Sequence, residues 1–232
     1  MANMRKQKQR LGELLAGDDW AAHLNEIAAM GSQAVGALFS FLSRDPQLMH
    51  RAARALGLTT AAIYKTDPQA ATEIIRRFMW HMNEESGNIG WGIPAAFAEA
   101  LVASPELAEK FGHILNTYIM DLGFDDNYCD HDALRRTCYW AIGRHAQAHP
   151  RLTAKAHPWL VRGLQDEDSI CRGMAAWALG QMAPDLMDAP ALRMLAQAGN
   201  TDRCEVFEND ELREYGVSEL AQKTLDMTSN SA

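Results

Sequence analysis

No apolar run in this sequence approaches the roughly 20 residues that cross a bilayer, although hydrophobic residues fill 47% of its 232 positions. A membrane partner is therefore not expected. Cysteine is sparse: Cys129, Cys138, Cys171 and Cys204 stand far apart with no CxxC pair. Neither a zinc ribbon nor a thioredoxin-type dithiol is supported, and buried thiols in a reducing cytoplasm are the expectation. Positive charge is also short, with 22 Lys and Arg against 30 Asp and Glu and a net charge of −8. General affinity for nucleic acid needs a positive surface that releases counterions, so nucleic acid is not an expected partner. The basic opening "MANMRKQKQR" is followed by "LGELLAGDDW", where acids interrupt what an export signal would keep apolar. Residues 1–17 read as a basic, solvated extension of a cytoplasmic protein.

What is present is helix. Proline marks the chain at "RDPQ" (44–47), "TDPQ" (66–69), "SPEL" (104–107), "AHPRL" (148–152) and "APDL" (183–186). Asp or Ser before proline suits a helix N-cap, whose side chain accepts from free amides, followed by a residue that has no amide to orphan. Between these marks apolar residues recur at three- and four-residue spacing, in segments of about 12 to 20 residues.

Four of the segments repeat one another: "HRAARALGLTTAAI" from His50, "IPAAFAEALVASP" from Ile93, "RRTCYWAIGRHAQAHP" from Arg135 and "CRGMAAWALGQMAP" from Cys171. Aligning Gly57, Leu101, Gly143 and Gly180 gives steps of 44, 42 and 37 residues, the period of a two-helix repeat. Small residues at these positions let one inner helix approach the next, while Leu, Ile and Trp fill the layer between them. "RRTCYWAIGRHA" and "CRGMAAWALGQMA" resemble the repeat of bacterial HEAT-type arrays, in the branch related to phycobilisome lyases. The resemblance covers roughly residues 45 to 225. It implies an all-α, right-handed solenoid of about four to five helical hairpins, and it does not fix an activity. Residues 18–226 read as one repeat domain. "CEVFENDELREYGV" within it, near 203–217, reads as a small β-hairpin with an Asn-Asp turn that caps the array. Residues 227–232 read as a disordered tail.

The stretch "NEESGNIGWGIP" (83–94) departs from the helical pattern around it. A helix is expected from about Pro68 to Glu85, ended by Gly87, with Gly90 and Gly92 turning the chain and Pro94 opening the next helix. As a connector, it would use Ile89 and Trp91 as plugs. Glu84 and Glu85 fit this less well, because acids at a helix C-terminus oppose the macrodipole and invite a cationic or N–H partner, internal or external. Trp80 and His81 lie one turn earlier and share the neighbourhood. The stretch also resembles a glycine-tryptophan segment of HEAT-repeat proteins from anaerobic bacteria, to which no activity is attached.

Other constellations are weaker. "DLGFDDNYCDHD" (121–132) holds five aspartates, Cys129 and His131. A calcium loop would need its glycine and terminal glutamate in register, and a closed zinc site needs four ligands. Asp130 or Asp132 as the N-cap of the next helix is simpler. HEAT-like deoxyhypusine hydroxylases hold two irons with His-Glu pairs, and this chain contains no His-Glu dipeptide. Tyr139, Trp140, Arg144 and Trp177, together with Arg136, sit on inner helices. Repeated positions usually repeat a core role, but facing solvent these residues would line a groove with the groups enriched at binding hot spots. No catalytic residues, metal ligands or cofactor set emerge. The reading is a non-catalytic protein-interaction scaffold that uses its concave helical surface and the 83–94 loop. The alternative is a lyase-like chaperone holding a tetrapyrrole-type cofactor or its acceptor protein, which leaves room for a small ligand. A third reading follows from the loose resemblance of "LRRTCYWAIGRHA" to HEAT-like alkylpurine DNA glycosylases, with Arg135, Arg136, Arg144 and Arg151 as a basic run.

Overall fold

Aspartate and proline set the helix starts. In the computed structural model, which describes residues 2–83, 89–124, 126–182 and 188–229, Asp45 accepts from the Leu48 amide at 3.0 Å and Asp67 from the Ala70 amide at 3.0 Å. Ser104 accepts from the Leu107 amide at 3.3 Å. These caps open α4 (Pro46–Thr66), α5 (Pro68–Met82) and α7 (Pro105–Thr117). They are preceded by α1 (Ala2–Ala16), α2 (Leu24–Ala29) and α3 (Ser32–Phe39), and α6 (Ile93–Ala103) lies between α5 and α7. Then follow α8 (Asp132–Ala148), α9 (Pro150–Thr153), α10 (His157–Gly163), α11 (Ser169–Gly180) and α12 (Ala189–Gln197). The chain closes with β1 (Arg203–Glu208), β2 (Glu211–Gly216) and α13 (Val217–Ser229). The two strands form one sheet. Asn209 and Asp210 both have positive φ, as a type I′ turn requires.

Contacts divide the chain into two compact units: Met1–Leu107 with Asn209–Glu211, and Ala108–Glu208 with Leu212–Ala232. In the first, α4 is the central helix, with α6, α2, α3 and α5 packed on it. In the second, α8 packs on α11 and α11 on α13, with α10 and α12 on the outside. Helix layers stacked in this way, with a small strand pair near the C-terminus, are the α-solenoid architecture the sequence implies.

Several boundaries differ from the sequence reading. The described part of the N-terminal segment is not a frayed extension: Leu11 and Leu15 of α1 are buried. Arg51 of α4 donates to the Leu15 and Gly17 carbonyls at 2.8 and 3.1 Å, satisfying acceptors that a helix end leaves open. Its guanidinium also lies over the Trp20 ring. Helices α2, α9 and α10 are far shorter than 12 residues, because Pro150, Pro158 and nearby glycines cut the chain more often than the periodicity indicates. The last helix continues to Ser229, into the expected tail, while "APDL" and residues 230–232 lie outside the described residues.

The aligned glycines do one job. A Cβ on Gly57 would lie 2.5 Å from the Glu99 carbonyl carbon in α6. One on Gly143 would lie 2.6 Å from the Trp177 ring and 2.8 Å from Cα of Ala178 in α11. One on Gly180 would lie 2.8 Å from Thr224 in α13. Each marks a point where an inner helix meets the next without contributing a side chain of its own. Gly57→Ala must therefore push backbone against backbone, and we expect a loss of about 2 kcal/mol or more in urea denaturation. Gly36→Ala, in α3 with nothing within 4 Å, should stabilise by about 0.5 kcal/mol.

Candidate interaction surfaces

In the first unit, α5 ends in an aromatic and basic cluster. The Arg77 guanidinium lies 3.9 Å from the Phe39 ring centre, and the His81 ring is 5.9 Å from Phe39. Trp80 meets His81 edge-on at 5.0 Å and is 59% exposed. The returning chain lies hard against this helix end, since a Cβ on Gly90 would sit 2.9 Å from the His81 carbonyl oxygen. Gly92 takes a left-handed φ of 68° and packs on Leu42 and Met49; α6 then starts with Pro94 in its first turn. Trp91 is not a plug. Ile93 fills the inward position at 3% exposure, whereas Trp91 is 39% exposed. Glu84, Glu85 and Gly87 lie outside the described residues.

In the second unit, the inner-helix aromatics do not face solvent. Trp140 and Trp177 stack in parallel, 6.2 Å apart and 4° from coplanar, and both are buried, as is Tyr139. The covering element is the C-terminal hairpin. The Trp140 indole donates to the Phe207 carbonyl at 2.9 Å, and the Trp177 indole donates to the Glu208 carboxylate at 3.3 Å. Glu208 is also bonded to the Tyr215 hydroxyl and to Lys223 Nζ at 2.8 Å, and these bonds hold its carboxyl below the usual range against the opposing effect of burial. Tyr139, Trp140 and Trp177 are therefore corrected from groove-lining to core. The two basic members differ in fate: Arg136 is bidentate to Asp168 at 2.9 and 2.5 Å, while Arg144 donates to Gln147 at 2.8 Å.

Arg135, adjacent to Arg136, is the polar centre of this unit. Its Nε and Nη2 grip Asp166 at 2.8 and 2.9 Å, and its Nη1 donates to the Cys129 and Asp130 carbonyls at 2.9 Å each. Both side chains of the pair are under a tenth exposed. The clamp ties the 121–132 loop to the turn before α11. Two of the four guanidiniums in the basic run are thus committed to internal carboxylates. Sequence reasoning missed Asp166 and Asp168, although "DED" at 166–168 places two acids two residues apart, opposite two consecutive arginines. Arg135→Ala leaves Asp166 buried without its partner and should cost about 3–5 kcal/mol by denaturation. Arg10→Ala, which breaks an exposed pair with Glu26, should cost under about 1 kcal/mol.

The 121–132 loop braces itself. Asp126 accepts from the Leu122 and Tyr128 amides at 2.7 and 2.9 Å, and Asp121 accepts from the Gly123 amide at 3.0 Å. The N-cap of α8 is His131, whose Nδ1 accepts from the Leu134 amide at 3.4 Å, rather than Asp130 or Asp132. Asp132 instead occupies the first helical turn. Among the described residues no three His, Cys, Asp or Glu side chains are placed to hold a metal ion, and all four cysteines are free and buried. Beside the loop lies a recess of about 480 Å³ with Tyr128, Tyr139 and Trp159 among its walls and Asp130 and Glu167 among its acids. Arg162 lies over Trp159 and pairs with Asp121 at 2.8 Å. Leu122 and Phe124 project outward, 50% and 73% exposed. The sequence reading singled out none of Tyr128, Trp159 or Phe124.

Two buried histidines make stability depend on pH. Burial lowers His50 to about 3 and, with help from nearby His149, lowers His145 to about 4. His145 packs against Gly112, where a Cβ would sit 2.7 Å from its ring. Between pH 6.5 and 4 the unfolded chain takes up protons that the folded chain refuses, so stability falls as pH drops through this window and is unaffected by these groups above it. Each full pKa unit corresponds to about 1.4 kcal/mol. The slope of unfolding free energy against pH from 4.5 to 6 should be positive, and flatter in His145→Leu than in the parent chain.

Residues 132–182, spanning α8 to α11, match the HEAT-like repeat family. No curated protein matches the sequence. Among solved structures, the designed armadillo repeat protein YIII(Dq.V1)4CPAF, in complex with peptide (KR)4, is similar over 94% of this chain and 98% of its own, at 17% identity and a TM-score of 0.52. The designed armadillo repeat protein YIII(Dq)4CqI aligns over 94% and 98%, at 16% identity and a TM-score of 0.48. The family match and the first of these structures support a HEAT-like repeat fold. No described helix is long and apolar enough to cross a membrane.

Proposed function

We propose that this protein is a non-catalytic interaction scaffold whose first unit binds a protein partner where α5 ends and the chain re-enters at α6. The observation that carries the reading is the pair of exposed indoles, Trp80 and Trp91, set beside Arg77 and His81. Tryptophan and arginine are among the residues most enriched at binding hot spots. Close packing of Gly90 on the His81 carbonyl and of Gly92 on Leu42 and Met49 holds the backbone beneath Trp91, which reduces the ordering entropy lost on binding. The described flanks of the 83–94 stretch thus supply a prepared surface. The inner-helix face of the second unit is covered by its own hairpin and is not part of the proposal. Repeat solenoids serve as interaction modules, and the designed armadillo repeat protein of similar fold is in complex with peptide (KR)4.

The test is a pull-down from the native cell with the parent chain and with the Trp80→Ala, Trp91→Ala double variant. Partner recovery should fall at least about tenfold, while circular dichroism shows the helical fold retained. Equal recovery from both proteins would reduce the segment to a connector.

A further inference from the structure

We infer that the second unit carries a docking surface of its own, and that its occupant is an extended lysine- or arginine-rich segment of another protein that also presents an apolar side chain. The inference rests on the scaffold reading but concerns different residues. Its first support is apolar. Phe124 and Leu122 are held in solvent by a loop whose Asp121 and Asp126 side chains lock its backbone amides, so their exposure is a built feature of the loop. Large apolar groups held out in this way mark interaction sites.

The second support is the recess that Asp121, Tyr128 and Asp130 of the same loop help to line. About 480 Å³ does not admit a helix, which is some 10–12 Å across, but it does admit a side chain from an extended segment. Its walls include Tyr128 and Trp159, each already faced by a guanidinium, of Arg135 and Arg162 respectively, so the aromatic lining offers contact to an alkyl stem rather than a bare ring face to a cation.

Charge decides the occupant. Asp166, Asp168 and Asp121 are matched by Arg135, Arg136 and Arg162. Asp130 and Glu167, which also line this recess, pair with no basic side chain among the described residues. They leave an uncompensated negative field on a chain whose net charge is already −8. That field repels acidic segments and attracts basic ones.

The experiment uses fluorescence anisotropy with the full chain and two labelled octapeptides, each with a central leucine, one otherwise alternating Lys and Arg and one otherwise Glu. The basic peptide should bind, more weakly as salt rises, and the acidic one should not. Affinity should fall about tenfold in Asp130→Asn, Glu167→Gln and again in Phe124→Ser. It should be unchanged in Trp80→Ala, Trp91→Ala. All of these positions are exposed, and circular dichroism checks that each variant is folded. Equal binding by the parent and the carboxylate variant overturns the proposal, as does the absence of binding. Spermidine displacing the peptide at equal charge concentration would assign the recess to free polyamines and also overturn it. So would parent-chain dimers that Phe124→Ser dissolves, which would make a second copy the occupant. If the tryptophan variant alone weakens the peptide, this surface fails while the scaffold reading stands. If capture by the first unit fails while the peptide still binds as described, only the earlier reading falls.

Discussion

The architecture depends on contacts at which one of the two meeting helices has no side chain. At Gly57, Gly143 and Gly180 a single methyl group would overlap the neighbouring helix or its side chain, so the spacing of successive inner helices is fixed by what those positions omit. Once α8 and α11 are brought this close, Trp140 and Trp177 have nowhere to go but into a parallel stack. Their indole N–H groups then need acceptors in a dry interior, since an unmet buried donor costs about 1–3 kcal/mol. The C-terminal hairpin supplies both acceptors.

Arginine does the second kind of work. Arg51 closes the end of α1, and Arg135 joins a loop to a turn through four bonds. A guanidinium suits these places because its fork satisfies several acceptors at once and it stays charged when half-buried. The Asp166 partner and its hydrogen bonds raise the basicity of Arg135 further, so its positive charge persists across the range where the histidines titrate.

Much of this was legible in local chemistry. Asp-Pro caps, the Asn209–Asp210 turn and the glycine repeat act over a few residues or recur at a fixed period, so the sequence displays them. The direction of the aromatics was not legible. Trp140 and Trp177 have the same helical spacing whether they face a groove or a core, and the element that covers them lies about thirty residues or more downstream. The burial of α1 depends on Arg51, which acts from 36 residues away. Trp91 sits between two glycines, which leave its orientation to tertiary packing, and nothing near Phe124 signals that it stays in water.

The two indole bonds to the hairpin differ in kind. Trp140 reaches a main-chain oxygen at position 207, which every residue possesses, whereas Trp177 reaches a carboxylate that only certain residues provide. As far as hydrogen bonding is concerned, position 207 can drift through other apolar types while its bond endures. Position 208 has no such latitude, because one change there would unfasten the indole, the phenol and the ammonium together. The attachment of the hairpin is thus tolerant at one residue and brittle at the next.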